Sequence, residues 1–390
     1  MDEIKLENFI PFDKRELFLF LKEKIEDKKN REEFEKFYNL IEFIYDNKFS
    51  KKLEEIKESY LYIDPDLNIQ LLGNINEVKK NEDIKNVVNK IKDLLKAGNY
   101  IEITKDKIIE AFNKSSPWGI DLKVNLEEFD ECILFYKGEF KDSRKKKFFF
   151  MEKEYDFNVY SRVVFIFKLK PQKKTRKDNL SYDKVYIKLF KNVPAVDLEM
   201  LFPNTKIMIK PLDKMLIILP LIAGISTTIY KVVDYIIKQG SSGTWWSQLG
   251  FWGIVGGFFG LALHSFSGYQ STVEKYLRSL TSNLYFQNLD NNSGVYHYLI
   301  NNAIEEECKE IVLAYYFLYF SKEKLTIEEL DKKIENFFIN NFGKKIDFEV
   351  DDAMRKIKEL GLLRKEDTFI EIFSIQEAVK ILKKQIEEMF

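Results

Sequence analysis

This chain of 390 residues has only two cysteines, Cys132 and Cys308, and two histidines, His264 and His297. The cysteines stand far apart, so neither a disulfide framework nor a structural zinc site underlies the fold. His297 has no second histidine or cysteine at ligand spacing. A phosphate-binding glycine loop, a nucleophile motif and a histidine-rich metal centre are all missing, so a non-enzymatic protein without a cofactor is expected. Net charge is missing too. With 62 Lys and Arg against 63 Asp and Glu, the chain stands at −1, which argues against nucleic acid as a partner. The residues Met1 to Leu6 are charged and no apolar h-region follows, so no cleavable signal is expected.

What is present is a pair of long hydrophobic stretches, Met215 to about Ile237 and about Leu249 to Tyr269. At a rise of about 1.5 Å per residue, each spans about 30 Å, the thickness of a bilayer's hydrocarbon core. The expectation is a transmembrane hairpin with the lipid bilayer as its partner. Lys206, Lys210 and Lys214 precede the first stretch, Lys275 and Arg278 follow the second, and the loop Gln239 to Thr244 is uncharged. The positive-inside rule then puts both termini on the cytoplasmic side of an inner or cytoplasmic membrane. Trp245, Trp246 and Trp252 fit an interfacial aromatic belt at the loop.

The expected fold class is an α+β membrane protein. Residues 1–115 carry apolar positions at helical spacing, as in Phe34, Phe37, Leu40, Ile41 and Ile44, and Thr104 is a plausible helix cap. Over 116–211 the period changes. Ile120, Leu122, Val124 and Leu126 alternate with polar residues. Cys132 to Tyr136, Lys146 to Met151, Arg162 to Leu169 and Lys184 to Phe190 read as strands of a mainly antiparallel sheet. Lys141 to Lys145 and Pro171 to Leu180 read as the turns between them. The basic run Lys170 to Lys177 fits a solvated loop or a contact with anionic headgroups. The hairpin occupies 212–270 (spans 215–237 and 249–269), and a helical connector fills 271–320.

Residues 321–390 show the order of a winged helix. Thr326 and Glu329 form a capping box, a second helix stops at Gly361, and Leu362 to Arg364 and Phe369 to Phe373 flank a polar tip. With 14 basic and 16 acidic residues from Lys322 onward, this segment is suited to protein contact or packing and not to DNA.

Within the hairpin, Gly253, Gly256, Gly257 and Gly260 form overlapping small-residue repeats, and Gly224 and Thr228 offer a weaker match. Close helix approach at these glycines would serve either the hairpin itself or a homo-oligomer. Lys231 and Asp234, three residues apart, fit a local ion pair or the polar lining of a pore. His264 falls level with Pro220 and is placed to satisfy the carbonyl of Leu216 that a proline leaves free. Asp197 and Glu199 follow Pro194 and would anchor the segment feeding the first apolar helix.

Three segments resemble one family: Phe190 to Pro203 (FKNVPAVDLEMLFP), Leu284 to Gly294 (LYFQNLDNNSG) and Glu306 to Phe317 (EECKEIVLAYYF). Phe9 to Phe12 and Asp352 to Gly361 fit as well. The chain is similar to the uncharacterised membrane family known as domain of unknown function 3754, which includes transmembrane protein 143-like proteins. The resemblance brings no known reaction and no catalytic residue. Two function classes follow. One is a membrane-anchored interaction or scaffold protein with an unidentified protein partner, able to self-associate. The other is an oligomeric channel or membrane-permeabilising effector.

Overall fold

A computed structural model describes residues 6–67, 77–113, 121–148, 151–171, 180–208, 211–239, 249–321 and 323–389. After a short strand β1 (Leu6–Glu7), Asp13 caps helix α1 (Lys14–Glu23) by accepting from the amides of Arg15 and Glu16. Asp27 does the same for α2 (Lys28–Tyr60) at Asn30. α2 is one 33-residue helix that buries Phe34, Phe37, Ile41, Tyr45 and Phe49 along one stripe. Helix α3 (Glu77–Ala97) packs beside it.

The sheet follows. It is built from β2 (Ile101–Ile103), β4 (Phe129–Phe148), β5 (Met151–Leu169) and β6 (Val185–Pro194), with β8 (Asn288–Asn291) added from much later in the chain. The order is β2-β4-β5-β6-β8 and every pairing is antiparallel. Helix α4 (Lys105–Asn113) separates β2 from β3 (Asp121–Lys123), which pairs instead with β7 (Lys206–Met208). Alternate residues of the central strands enter two cores. Ile133, Phe135, Val164 and Ile166 face the large helical core, while Leu134, Val163, Phe165 and Phe167 face a smaller one with Ile108 and the turn Leu198 to Phe202. Burial on both faces explains the near-continuous apolar run at Val163 to Phe167.

Two strand expectations are corrected. Lys141 to Lys145 is no turn: β4 runs unbroken from Phe129 to Phe148 and pairs with β5 out to Phe148↔Met151. The charged run is tolerated in a strand because the far half of this hairpin has exposed edges, and Ser143 Oγ donates to Glu154 across it at 2.8 Å. The alternation Ile120 to Leu126 yields only the three residues of β3, after which Asn125 caps a short 3-10 turn. Most of the basic run, from residue 172 to Lys177, lies outside the described residues.

The apolar stretches form helices α5 (Pro211–Gln239) and α6 (Leu249–Gln287), which pack on each other. Among the described residues, however, no helix is long and apolar enough to cross a membrane. The transmembrane hairpin, and with it the membrane fold class, is therefore corrected to a mixed α+β fold. Polar and charged side chains stand among the apolar ones of both helices. Ser226, Thr227 and Thr228 interrupt α5 and donate to the carbonyls of Ile222, Ala223 and Gly224, with Lys231 and Asp234 following. α6 runs on through Glu274, Lys275 and Arg278 until its end abuts β6 and β8. The loop with Trp245 and Trp246 lies outside the described residues.

Helix α7 (Ser293–Phe320) is the hub of the large core. It touches α1, α2, α3 and the sheet on one side, and α8 (Ile327–Phe342) and α9 (Val350–Glu359) on the other. The Thr326/Glu329 capping box is present, and Gly343 closes α8 in a left-handed conformation at φ 63°. β9 (Lys345–Ile346) pairs in parallel with β1, so the N-terminal segment and the segment between α8 and α9 share one ladder. A hairpin of β10 (Leu363–Glu366) and β11 (Ile370–Ile372) leads into α10 (Ile375–Glu387), which packs back on α2. One apolar core extends from Ile10 to Leu382.

Candidate functional site

Along α6, a methyl group added at Gly256, Gly257 or Gly260 would meet nothing within 4 Å among the described residues. Gly253 lies on the same arc of the helix, one turn before Gly257. In α5 the pattern is the reverse: Gly224 is buried and Thr228 half-buried amid exposed neighbours, which marks the covered side of that helix. Lys231 is exposed and Asp234 half-buried. His264 is a residue of α6 whose side chain, like that of Pro220 in α5, lies outside the described residues. Asp197 and Glu199 are buried in the turn between β6 and β7.

A concentration of buried charge lies against α7, its members drawn from distant parts of the chain. It lines two sides of α7. On the first side, Glu306 accepts from Lys137 Nζ of β4 at 2.9 Å and Lys309 Nζ at 2.8 Å, and more distantly from the Ile10 amide at 3.4 Å. Lys309 also donates to the carbonyls of Ile10 and Phe12, and Lys137 to Asn302 at 2.8 Å. Burial opposes the ionised Glu306, yet Lys137 and Lys309 outweigh it and hold the carboxyl below its ordinary range. For Lys137 burial wins and lowers its pKa, with Glu306 offsetting part of the effect. Lys137 also sits over the rings of Phe9 and Tyr100. Sheet, N-terminal segment and hub helix thus meet at one carboxylate.

On the second side, the ammonium of Lys356 from α9 meets three carboxylates: Glu307 at 3.0 Å, Asp352 at 2.6 Å, and Glu310. Glu310 also accepts from Asn99 Nδ2 at 2.9 Å. Lys356 thus faces two buried carboxylates, Glu307 and Glu310, and the half-buried Asp352, which Arg355 also pairs. Burial pushes Glu310 up to about 7 even against Lys356 and Asn99, whereas Lys356 and Arg355 overcome burial at Asp352 and lower it. Burial disfavours the charged Lys356, but the carboxylates raise it well above the usual lysine range. A cleft of about 320 Å³ opens here, lined by Lys48, Lys52, Lys96 and Arg355 against Asp93, Glu307, Glu349 and Asp352. Its balanced charge selects neither an anion nor a cation.

Neither network offers a nucleophile. Burial pushes the Cys308 thiol up to about 12 and Cys132 up to about 11, so both stay protonated at neutral pH. Among the described residues, no group of three or more His, Cys, Asp or Glu could hold a metal ion.

The two segments Phe190 to Pro203 and Leu284 to Gly294 come together in space. β6 pairs with β8 through Leu189↔Asp290 and Phe190↔Asn288. Gln287 Nε2 donates to the carbonyl of Asn192, itself at φ 50°. Asn292, at φ 48°, accepts from the amide of Ile187 at 3.2 Å and donates to Asp66 at 2.8 Å. At Gly294 a Cβ would stand 2.0 Å from a carboxylate oxygen of Asp290, so a side chain there would force that carboxylate to move. These motif residues are explained by the joint they build between α6, the sheet and α7. Residues 129–294, from the start of β4 to the first turn of α7, match the family model described as Protein of unknown function (DUF3754). No solved structure matches the chain.

Proposed function

We propose that this chain is a non-enzymatic interaction protein that assembles with a second copy of itself through the exposed face of α6. The observation that carries the reading is the open glycine stripe. Gly256, Gly260, Leu263 and Ser267 recur at spacings of four, three and four, so they form one line along the helix. Phe259 (61% exposed) flanks that line, and Leu263 within it is 67% exposed. Each glycine costs a helix about 1 kcal/mol relative to alanine. Among the described residues no close contact within the protomer offsets that cost, because an alanine would fit at all three positions. A neighbouring helix lying close against the stripe does offset it, and an identical stripe is its simplest complement under two-fold symmetry.

The apolar side chains around the stripe supply the driving force, at about 1.5–3 kcal/mol for each one fully covered. The two charge networks and the glycine-dependent joint at β8 then form the rigid frame that holds the hairpin. The winged-helix-like C-terminal segment serves packing in this reading, since α10 is laid against α2. The alternative expectation, a channel, required a membrane-spanning hairpin and is not carried further.

The test is the mass of the full chain in solution, by light scattering or sedimentation across a concentration series. A dimer or larger species is expected, and Gly256→Gln with Gly260→Gln should weaken it at least tenfold. A wild-type monomer at tens of micromolar, or an assembly indifferent to both substitutions, overturns the proposal.

A further inference from the structure

The glycine stripe of α6 is one open side of the helical hairpin, and α5 presents another. Met215, Ile218, Ile222, Ile225, Ile229 and Val233 recur along α5 at spacings of three and four, and each is 41–59% exposed. Such spacing places them in one row on one face. From Met215 to Ile229 the row runs about 21 Å at the usual helical rise. The buried Gly224 and half-buried Thr228 lie off that face and mark the side that α6 covers. The row itself holds no ionisable residue. Ser226 and Thr227, exposed beside and behind it, turn their hydroxyls to the carbonyls of Ile222 and Ala223. A continuous apolar row open to water marks a contact surface, which scattered single residues do not.

A partner on the α6 stripe does not cover this row. Every described residue of α6 from Gly256 to Ser271 is exposed, stripe and flanks together, so α5 packs on the side away from the stripe. A helix laid on the stripe is therefore held off from α5 by the thickness of α6, about 10 Å. The two-fold axis of such a dimer repeats the open α5 row at its far edge.

We infer that the α5 row is a second self-contact, through which dimers joined at α6 assemble into species of four or more chains. The particle that it extends is the α6 dimer, so this inference rests on that proposed contact. Three features select the α5 row of another copy as the occupant. Spacings of three and four are the seam of helix-on-helix packing, so the complement is a helix. Isoleucine fills four of the six positions, and its branched Cβ leaves it little side-chain freedom to lose on contact. A row without charge or hydrogen-bonding groups gives a polar partner nothing to pair with, whereas an antiparallel copy matches it residue for residue. The α6 dimer already carries that copy at each of its edges. Two different two-fold contacts on one chain close on four copies or run on as an open series of dimers.

The experiment is sedimentation velocity of the full chain without detergent, over a concentration series reaching tens of micromolar. The wild type should reach four chains or more. Ile222→Glu with Ile229→Glu should stop assembly at two, raising the dissociation constant of the α5 contact by about a hundredfold or more, since each change removes burial and adds an unpaired charge on both sides. Ile222→Ser with Ile229→Ser, which adds no charge, should act in the same direction. Gly256→Gln with Gly260→Gln should leave dimers joined through α5, and the glycine and glutamate changes together should leave monomers. Thr227→Glu, exposed off the row, should leave the mass unchanged, and circular dichroism checks the fold of each variant. A wild-type dimer split by the glycine changes and indifferent to the isoleucine changes overturns this inference and leaves the α6 contact standing. A dimer split by the isoleucine changes alone supports the α5 contact and removes the α6 one. A wild-type monomer overturns both, and a larger species indifferent to the isoleucine changes overturns this inference. Flotation with phosphatidylcholine vesicles that the isoleucine changes abolish, in a chain that never exceeds a dimer, assigns the row to lipid and overturns it as well.

Discussion

Glu310 on the hub helix and Lys356 on α9 form a buried ion pair that joins the C-terminal segment to the N-terminal core. Glu307 and Asp352 share the same ammonium, and Asn99 holds the other oxygen of Glu310. Burial pushes the Glu310 carboxyl up to about 7 despite Lys356 and Asn99.

A pH dependence follows from that shift. The folded state keeps the Glu310 proton up to about 7, whereas the unfolded chain releases it near the ordinary value of 4.5. The stabilisation is full below pH 4.5 and is lost as pH rises from there through 7, by about 3 kcal/mol in all. Glu310→Gln should flatten this part of the urea-midpoint profile between pH 5 and 7.5. An unchanged slope in the variant would show that another group is responsible.

The first network should behave differently, because its charges are mutually paired. Glu306→Ala leaves Lys137 and Lys309 buried without their shared carboxylate, at a cost of about 3–5 kcal/mol. Urea unfolding measures it. A loss below 1 kcal/mol would mean that water already reaches the lysines.

Gly294 offers a steric test. Gly294→Ala should destabilise by about 1–3 kcal/mol, because its Cβ overlaps the Asp290 carboxylate. Adding Asp290→Ala removes the obstacle, so the double variant should recover most of that loss. A double variant as weak as the single one would locate the strain in the backbone.

On α6 the expected sign is opposite. Gly257→Ala meets open space and should raise the thermal midpoint, by about 0.5–1 kcal/mol of added helix stability. A destabilised protomer would show that the helix is already closely covered at that position.

Much of the architecture was legible along the chain because it is set by local chemistry. Thr326 and Glu329 announce the start of α8, Gly343 and Gly361 sit at φ 63° and 64° where helices stop, and runs of β-branched and aromatic residues mark the sheet strands. The glycine repeat of α6 was equally plain. Its surroundings were not, since sequence spacing says which residues share a face and nothing about what covers it.

The ion networks were hidden for a related reason. Lys137 and Glu306 lie 169 positions apart, and Glu310 and Lys356 lie 46 apart, so no local pattern pairs them. The charged run at Lys141 to Lys145 resembled a turn because strand propensity is weak there. Only the partner strand, by supplying backbone hydrogen bonds residue by residue, made it a strand. Likewise, hydropathy marked α5 and α6 as apolar rods. Sequence alone therefore marked where several helices start and stop, since caps act within a few residues. Which buried charges face each other, and which apolar faces stay open, was decided by packing between distant segments.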